Sequence, residues 1–225
     1  MMTGSPTARV LLMAVLVSAV PTFIGAQEAR GINVLEAAAE RYAGVAELCA
    51  DFVQRLEIPL LGDERTGSGQ LCQARPNRFT MRFAEPAGDR IVVDGESVWI
   101  FYPSVDDKQV FRFPMADRTG GYDFHREFLD SPRAKYEVTY EAEEQVDGHP
   151  VHRLRLVPRG PATYRVATIW IDQGVPVLRQ IRLEEENESI RTVTLSNVDF
   201  DPSGVPDDWF SFTPPAGAHV IERGR

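Results

Sequence analysis

Ile91-Val92-Val93-Asp94-Gly95-Glu96-Ser97-Val98-Trp99-Ile100-Phe101-Tyr102 is the stretch whose pattern decides the fold. Two apolar runs rich in β-branched and aromatic residues flank Asp94-Gly95, a pair that tolerates the left-handed backbone of a tight hairpin. The second run, Val98 to Tyr102, is apolar at every position, so its strand needs cover on both faces. Packed helices on one side and a barrel interior on the other would supply it.

The same pattern extends in both directions. Ala50 to Ile58, Ser68 to Ala74, Arg78 to Phe83 and Gln109 to Phe113 are short runs bounded by Gly and Pro. Tyr136, Val138 and Tyr140 alternate with Lys135, Glu137, Thr139 and Glu141, which places one face inward. Asp147-Gly148 turns the chain into Val151 to Val157, and Thr163 to Ile171, Val177 to Leu183 and Ile190 to Phe200 complete the series. The expectation is a single mainly β domain with a few helices, its roughly eleven strands forming a barrel or a strongly curved sheet. Thr66-Gly67-Ser68-Gly69 reads as a flexible turn.

Two helices interrupt this rhythm. Asn33 can cap the first, with Glu36 at capping-box spacing, and Leu35, Ala38, Tyr42, Val45 and Cys49 recur on one face. Between Gly120 and Asp130, Phe124, Phe128 and Leu129 fit a short helix ended by Pro132. Spacing alone leaves open whether that helix is a lid over a barrel mouth or an ordinary surface helix.

At the N-terminus, Arg9 precedes an apolar run from Val10 to Val20, then Pro21 and small residues ending at Gly25-Ala26. This is the make-up of a secretory signal peptide, and the run is too short to span a bilayer. Cleavage after Ala26 is expected, leaving residues 27–225 as one exported domain. No cysteine follows the apolar run, so no lipid anchor is expected. The formal net charge of −9 over 225 residues argues against nucleic acid and against steady adhesion to an anionic membrane. Cys49 and Cys72 stand roughly symmetrically about a turn near Leu60 to Gly62. In an oxidising compartment a disulfide across the base of one hairpin is reasonable, and two buried thiols are the alternative.

The search for chemistry yields little. His125, His149, His152 and His219 lack metal-binding spacing, and neither a nucleophile elbow nor a P-loop nor a dinucleotide fingerprint is present. No catalytic residue, metal or cofactor is assigned. The informative feature is apolar: Phe79, Met81 and Phe83 share one face of a strand, and Phe111 and Phe113 share one face of another. A well-filled core and a ligand cavity are both compatible with that arrangement.

The order of several short motifs resembles the outer-membrane lipoprotein carrier family, LolA. They are Phe52-Val53-Gln54, Gly69, Arg75-Pro76-Asn77-Arg78-Phe79, Glu85-Pro86, Val93-Asp94-Gly95 and Val98 through Pro103, closed by Phe210-Ser211-Phe212-Thr213-Pro214-Pro215-Ala216-Gly217 and Val220-Ile221. The stretch from Met115 to Pro132 and the cysteine pair depart from the family's pattern. The resemblance implies a half-open antiparallel barrel, lidded by helices, that shelters lipoprotein acyl chains. Phe52, Met81, Phe83, Trp99, Phe101, Phe111 and Phe113 become candidate cavity-lining residues, and Phe124, Phe128 and Leu129 candidate lid residues. Arg75 would hold the lid closed through backbone carbonyls, with Phe79 beside it in the cycle. The implied setting is the periplasm, and the implied partners are acylated lipoproteins, an inner-membrane ABC transporter that releases them and an outer-membrane receptor. A monomer is expected. The alternatives are an envelope-stress sensor or a general lipid or glycolipid binder on the same fold, and a filled-core interaction module.

Overall fold

The computed structural model describes residues 23–115 and 123–222. The basic and apolar parts of the expected signal peptide, up to residue 22, lie outside the described residues, as does the start of the Gly120–Asp130 stretch. Helix α1 (Phe23–Ala43) leads into β1 (Glu47–Ile58), β2 (Asp63–Ala74), β3 (Arg78–Glu85), β4 (Arg90–Asp94), β5 (Ser97–Phe101) and β6 (Gln109–Pro114). Two short helices, α2 (Phe124–Leu129) and α3 (Pro132–Lys135), precede β7 (Tyr136–Val146), β8 (His149–Pro158), β9 (Tyr164–Asp172), β10 (Leu178–Glu185) and β11 (Ile190–Asp199). A final strand, β12 (His219–Glu222), follows a one-turn helix at Asp207–Phe210.

The strands form one open sheet in the order β12-β6-β5-β4-β3-β2-β1-β11-β10-β9-β8-β7. Ten of its eleven pairings are antiparallel: nine join consecutive strands, and the tenth brings β1 beside β11; the exception adds β12 parallel to β6. The eleven expected strands are present within a few residues of their sequence bounds. β12 is the twelfth; four residues long and paired with a partner about a hundred positions earlier, it carries no local signal. The half-open barrel is therefore the observed architecture.

Cross-strand register explains how the sheet acquires an apolar interior. One row runs Ala50, Leu71, Met81, Ile91, Ile100 and Phe111 from β1 to β6. The next row on the same face runs Leu48, Gln73, Phe79, Val93, Val98 and Phe113. Side chains alternate faces along a strand, so these rows belong to one inner face, and all but Gln73 are apolar. With the inner residues of β7–β11 and the helices they make a single core.

The outer face has its own cover. The intervening row runs Cys49, Cys72, Thr80, Val92, Trp99 and Arg112. Val205, Trp209 and Phe210 pack over Cys49, Cys72 and Ala74. Phe212 lies 5.6 Å from the Trp99 ring and 5.7 Å from that of Phe101. The C-terminal segment is thus the second covering that the two-sided strand Val98–Tyr102 called for. Cys49 and Cys72, directly opposed on β1 and β2 with Cα atoms 4.1 Å apart, are joined by a disulfide beneath it.

Three local expectations need correction. Asn33 does not start α1, because Gln27, Glu28, Ala29 and Arg30 are good helix formers and carry the helix back to Phe23. Glu36 is consequently free of any cap role and instead grips Arg133 of α3 through both carboxylate oxygens, at 2.9 and 2.8 Å. Thr66-Gly67-Ser68-Gly69 is not a turn but the middle of β2. A Cβ on Gly69 would stand 2.0 Å from the Arg82 carbonyl oxygen, so glycine there permits close backbone approach at a register shift. Pro132 does not merely end a helix. It opens α3, where its missing N–H costs nothing.

Candidate ligand-binding interior

Helix α2 packs beside α1 and sends its apolar side chains into the inner core of the sheet. Six residues cannot hold a helix in water by themselves, so α2 exists because it is packed and capped. Asp123 accepts a hydrogen bond from the Arg126 N–H at 3.0 Å, and burial raises its carboxyl pKa. At the other end the Lys135 ammonium donates to the Arg126 carbonyl at 2.8 Å. Of the six residues only Arg126 is exposed, and its guanidinium donates to Asn77 at 3.0 Å.

The buried side chains of α2 are of two kinds. Phe124, Phe128 and Leu129 belong to the inner core, Phe124 edge-on to Phe79 at 6.4 Å and Phe128 lying 6.0 Å from the rings of both Tyr136 and Tyr164. Each such burial is worth about 1.5–3 kcal/mol. His125 and Glu127 are the polar exceptions. The His125 ring stacks on Tyr42 of α1 at 4.2 Å, and its Nδ1 lies 2.5 Å from Gln73 Oε1. Gln73, the one polar member of its row on the inner face, is thus the group that receives this helix. Burial drives the His125 pKa down to about 3, so the ring is neutral, and its Nε2 has no hydrogen-bond partner among the described residues. Glu127 accepts from the Tyr136 hydroxyl at 2.8 Å and from the Tyr164 hydroxyl, and the two phenols are 2.8 Å apart.

Arg75 acts on α1. Its Nε donates to the Val45 carbonyl at 2.7 Å and its Nη2 to the Tyr42 carbonyl at 3.1 Å, so the guanidinium clamps the C-terminal end of the helix. Tyr42 is also the residue that stacks on His125. A short chain of contacts therefore runs from Arg75 through Tyr42 and His125 into α2. Between these groups lies a cavity of about 420 Å³, bordered by Tyr42, Leu48, Gln73, Arg75, His125 and Leu129.

The sequence candidates separate by strand parity. Phe52, Phe79, Met81, Phe83 and Phe113 are buried in the inner core, and Phe111 packs at its margin. Phe52 and Phe83 meet edge to face at 4.9 Å. Trp99 and Phe101 do not line this interior. They point to the outer face, against Phe212, while Val98 and Ile100 from the same strand face inward. The period of two fixes this once a single inner residue of β5 is known. Sequence reasoning missed Gln73, Glu127, Tyr136 and Tyr164. No local pattern could pair Glu127 with Tyr164, because the two are 37 positions apart and meet only through the fold.

The model for outer membrane lipoprotein carrier protein LolA matches residues 43–213. This chain belongs to the LolA family. An outer-membrane lipoprotein carrier protein of Alkalilimnicola ehrlichii is 30% identical over 187 residues, covering 83% of this chain and 82% of the relative. A protein of the same description from Nitrosomonas europaea is 24% identical, covering 70% of this chain and 73% of the relative. Among solved structures, an uncharacterized conserved protein from Thermus thermophilus superposes with a TM-score of 0.54 at 11% identity, covering 86% of this chain and 99% of the other. That last likeness concerns the fold alone. LolA-family carriers are periplasmic lipoprotein-binding proteins.

Proposed function

We propose that this protein is a periplasmic carrier that shelters lipoprotein acyl chains inside its half-barrel and shuttles them from the inner to the outer membrane. The observation that carries this reading is the state of the interior. A six-residue helix inserts Phe124, Phe128 and Leu129 among the apolar side chains of the inner core. A plug of that size is removable as a unit, and its departure would uncover Phe79, on which Phe124 packs, and open the way to the inner core behind it.

The energetics suit a shuttle. Burying one sixteen-carbon chain is worth about 12 kcal/mol at about 0.8 kcal/mol per CH₂. A carrier that kept all of it would never release its cargo. Displacing α2 and exposing its apolar side chains costs part of that sum, which leaves a weaker net affinity. Arg75 sets the cost by fixing the end of α1 on which α2 rests. Cargo would arrive from an inner-membrane ABC transporter and leave to an outer-membrane receptor, the carrier acting as a monomer after loss of its signal peptide.

The test is release of lipoproteins from spheroplasts of the native host by the purified mature protein, with an unacylated lipoprotein as control. The expected result is acylated lipoprotein in a soluble one-to-one complex, dependent on added protein. Absence of release from spheroplasts with an active transporter would overturn the reading and favour a stress sensor or a general lipid binder.

A further inference from the structure

Glu127 is an unexpected residue to find in an apolar plug. It lies on α2 between Phe124 and Phe128, is only 8% exposed, and its side-chain partners are two phenols. Tyr136 opens β7 and Tyr164 opens β9, and each is 3% exposed. Their hydroxyls, 2.8 Å apart, converge on the same Glu127 Oε1. Burial, reinforced by the neighbouring carboxylate, raises both phenol pKa values, so each keeps its proton and remains a donor.

The two sides of this cluster belong to different bodies. The donors are fixed to the sheet, whereas the acceptor rides on α2. If α2 leaves, Glu127 takes away the acceptor and Phe128 takes away the ring that covers both tyrosines. What remains is an apolar space with two convergent donors in its wall. A plain hydrocarbon entering that space would leave one of the two O–H groups without an acceptor, because the phenols can satisfy only one donor between them, and a buried donor without a partner is costly. A carbonyl oxygen has two lone pairs and can accept from both. The head of a fatty acyl ester supplies such an oxygen directly attached to an apolar chain. This is the combination that α2 itself presents, one carboxylate oxygen amid Phe124, Phe128 and Leu129.

The geometry points to Tyr136 and Tyr164 as a binding site for the ester carbonyl at the head of a bound acyl chain, with Glu127 occupying its place in the closed protein. This inference rests on the acyl-carrier reading and adds to it a polar recognition element. It also makes plug and cargo compete for the same two donors. Loading is then an exchange of one acceptor for another rather than the burial of an unpaired O–H.

The test compares two ligands in displacement of an environment-sensitive dye from the full protein: a monoacylglycerol and the ether-linked alkylglycerol of the same chain length. The wild type should bind the ester about tenfold more tightly, the scale of one to two lost hydrogen bonds. The doubly substituted Tyr136→Phe/Tyr164→Phe protein should lose that preference. Removing the phenols also loosens α2, but that change affects both ligands equally and cancels in the ratio. A second readout requires no variant: the infrared band of a carbonyl-labelled ester should fall in frequency on binding to the wild type, relative to the same ester in alkane. Equal affinity for ester and ether, or an unshifted band, would overturn the inference while leaving the acyl carrier intact. Failure of both ligands to displace the dye would overturn the carrier reading together with it.

Discussion

Replacing Arg75 by leucine should make the protein hold acyl ligands more tightly and hand them on less readily. The guanidinium makes two hydrogen bonds to the end of α1, Nε to Val45 O at 2.7 Å and Nη2 to Tyr42 O at 3.1 Å. A hydrogen bond from a charged donor is worth about 1.5–3 kcal/mol when buried, but Arg75 is largely exposed, so about 1–2 kcal/mol for the pair is the realistic scale. Leucine removes both donors and cannot reach either carbonyl. The end of α1 then loosens, and with it the Tyr42 ring on which His125 of α2 is stacked. If closure weakens by that amount, the fraction of open protein rises by about 5–30-fold while the open state remains minor, and apparent affinity rises by the same factor. Fluorescent dye titration of folded wild-type and Arg75→Leu proteins measures that factor. Transfer of bound lipoprotein to an acceptor membrane should slow correspondingly. Lysine at this position should fall between the two, because a single ammonium can satisfy one carbonyl but not span both. Unchanged dye affinity in a folded Arg75→Leu protein would refute the clamp. A lower affinity would place Arg75 against the ligand instead.

Other consequences follow from the same structure. Cys49 and Cys72 close a loop with a sequence separation of 23, so replacing both by serine should cost about 3 kcal/mol of stability. Thermal unfolding should then begin roughly 6–12 °C lower, and a reducing agent should shift the wild type but not the variant. His125 is held neutral with a pKa of about 3, below its unfolded value of about 6.5. The unfolded chain therefore binds the extra proton between those limits, and stability falls as pH drops through that window by up to about 1.4 kcal/mol per unit. Urea unfolding at several pH values should show this slope in the wild type and a shallower one in His125→Gln. Gly69→Ala should prevent normal folding, since the added methyl would meet the Arg82 carbonyl oxygen at 2.0 Å. Recovery of a soluble variant with wild-type melting would contradict that close approach.

Short-range physics accounts for most of what the sequence revealed. The β4–β5 hairpin was legible because Asp94-Gly95 is its own signal: Asp94 Oδ1 accepts from the Glu96 and Ser97 amides, and Gly95 has a φ of 102°. The strands flanking it were legible because β-branched and aromatic runs need pleated neighbours. The cavity face was only half legible. The period of two groups Phe79, Met81 and Phe83 correctly, whereas a strand apolar on both faces offers no local clue to which face is inner, and Trp99 and Phe101 lie on the outer one. The extent of α1 is illegible locally for a related reason. Asn33 is a good cap in isolation, but the helix formers before it prolong the helix. Gly31 allows it to pass against β7, where a Cβ would stand 3.0 Å from the Tyr140 nitrogen.

By itself, then, the sequence determined the existence and approximate place of eleven of the twelve strands, most of the hairpin turns, part of the apolar inner face and the likeness to the LolA family. These depend on residues within a few positions of one another or on ordered motifs along the chain. Only the tertiary structure decided which face of β5 is covered by Phe212, that β12 pairs with β6, and that Gln73 receives His125. It alone brought Glu127 between Tyr136 and Tyr164. Each of these joins groups that are distant in the chain, and their energies depend on distances and burial that exist only once the sheet has wrapped around its helices.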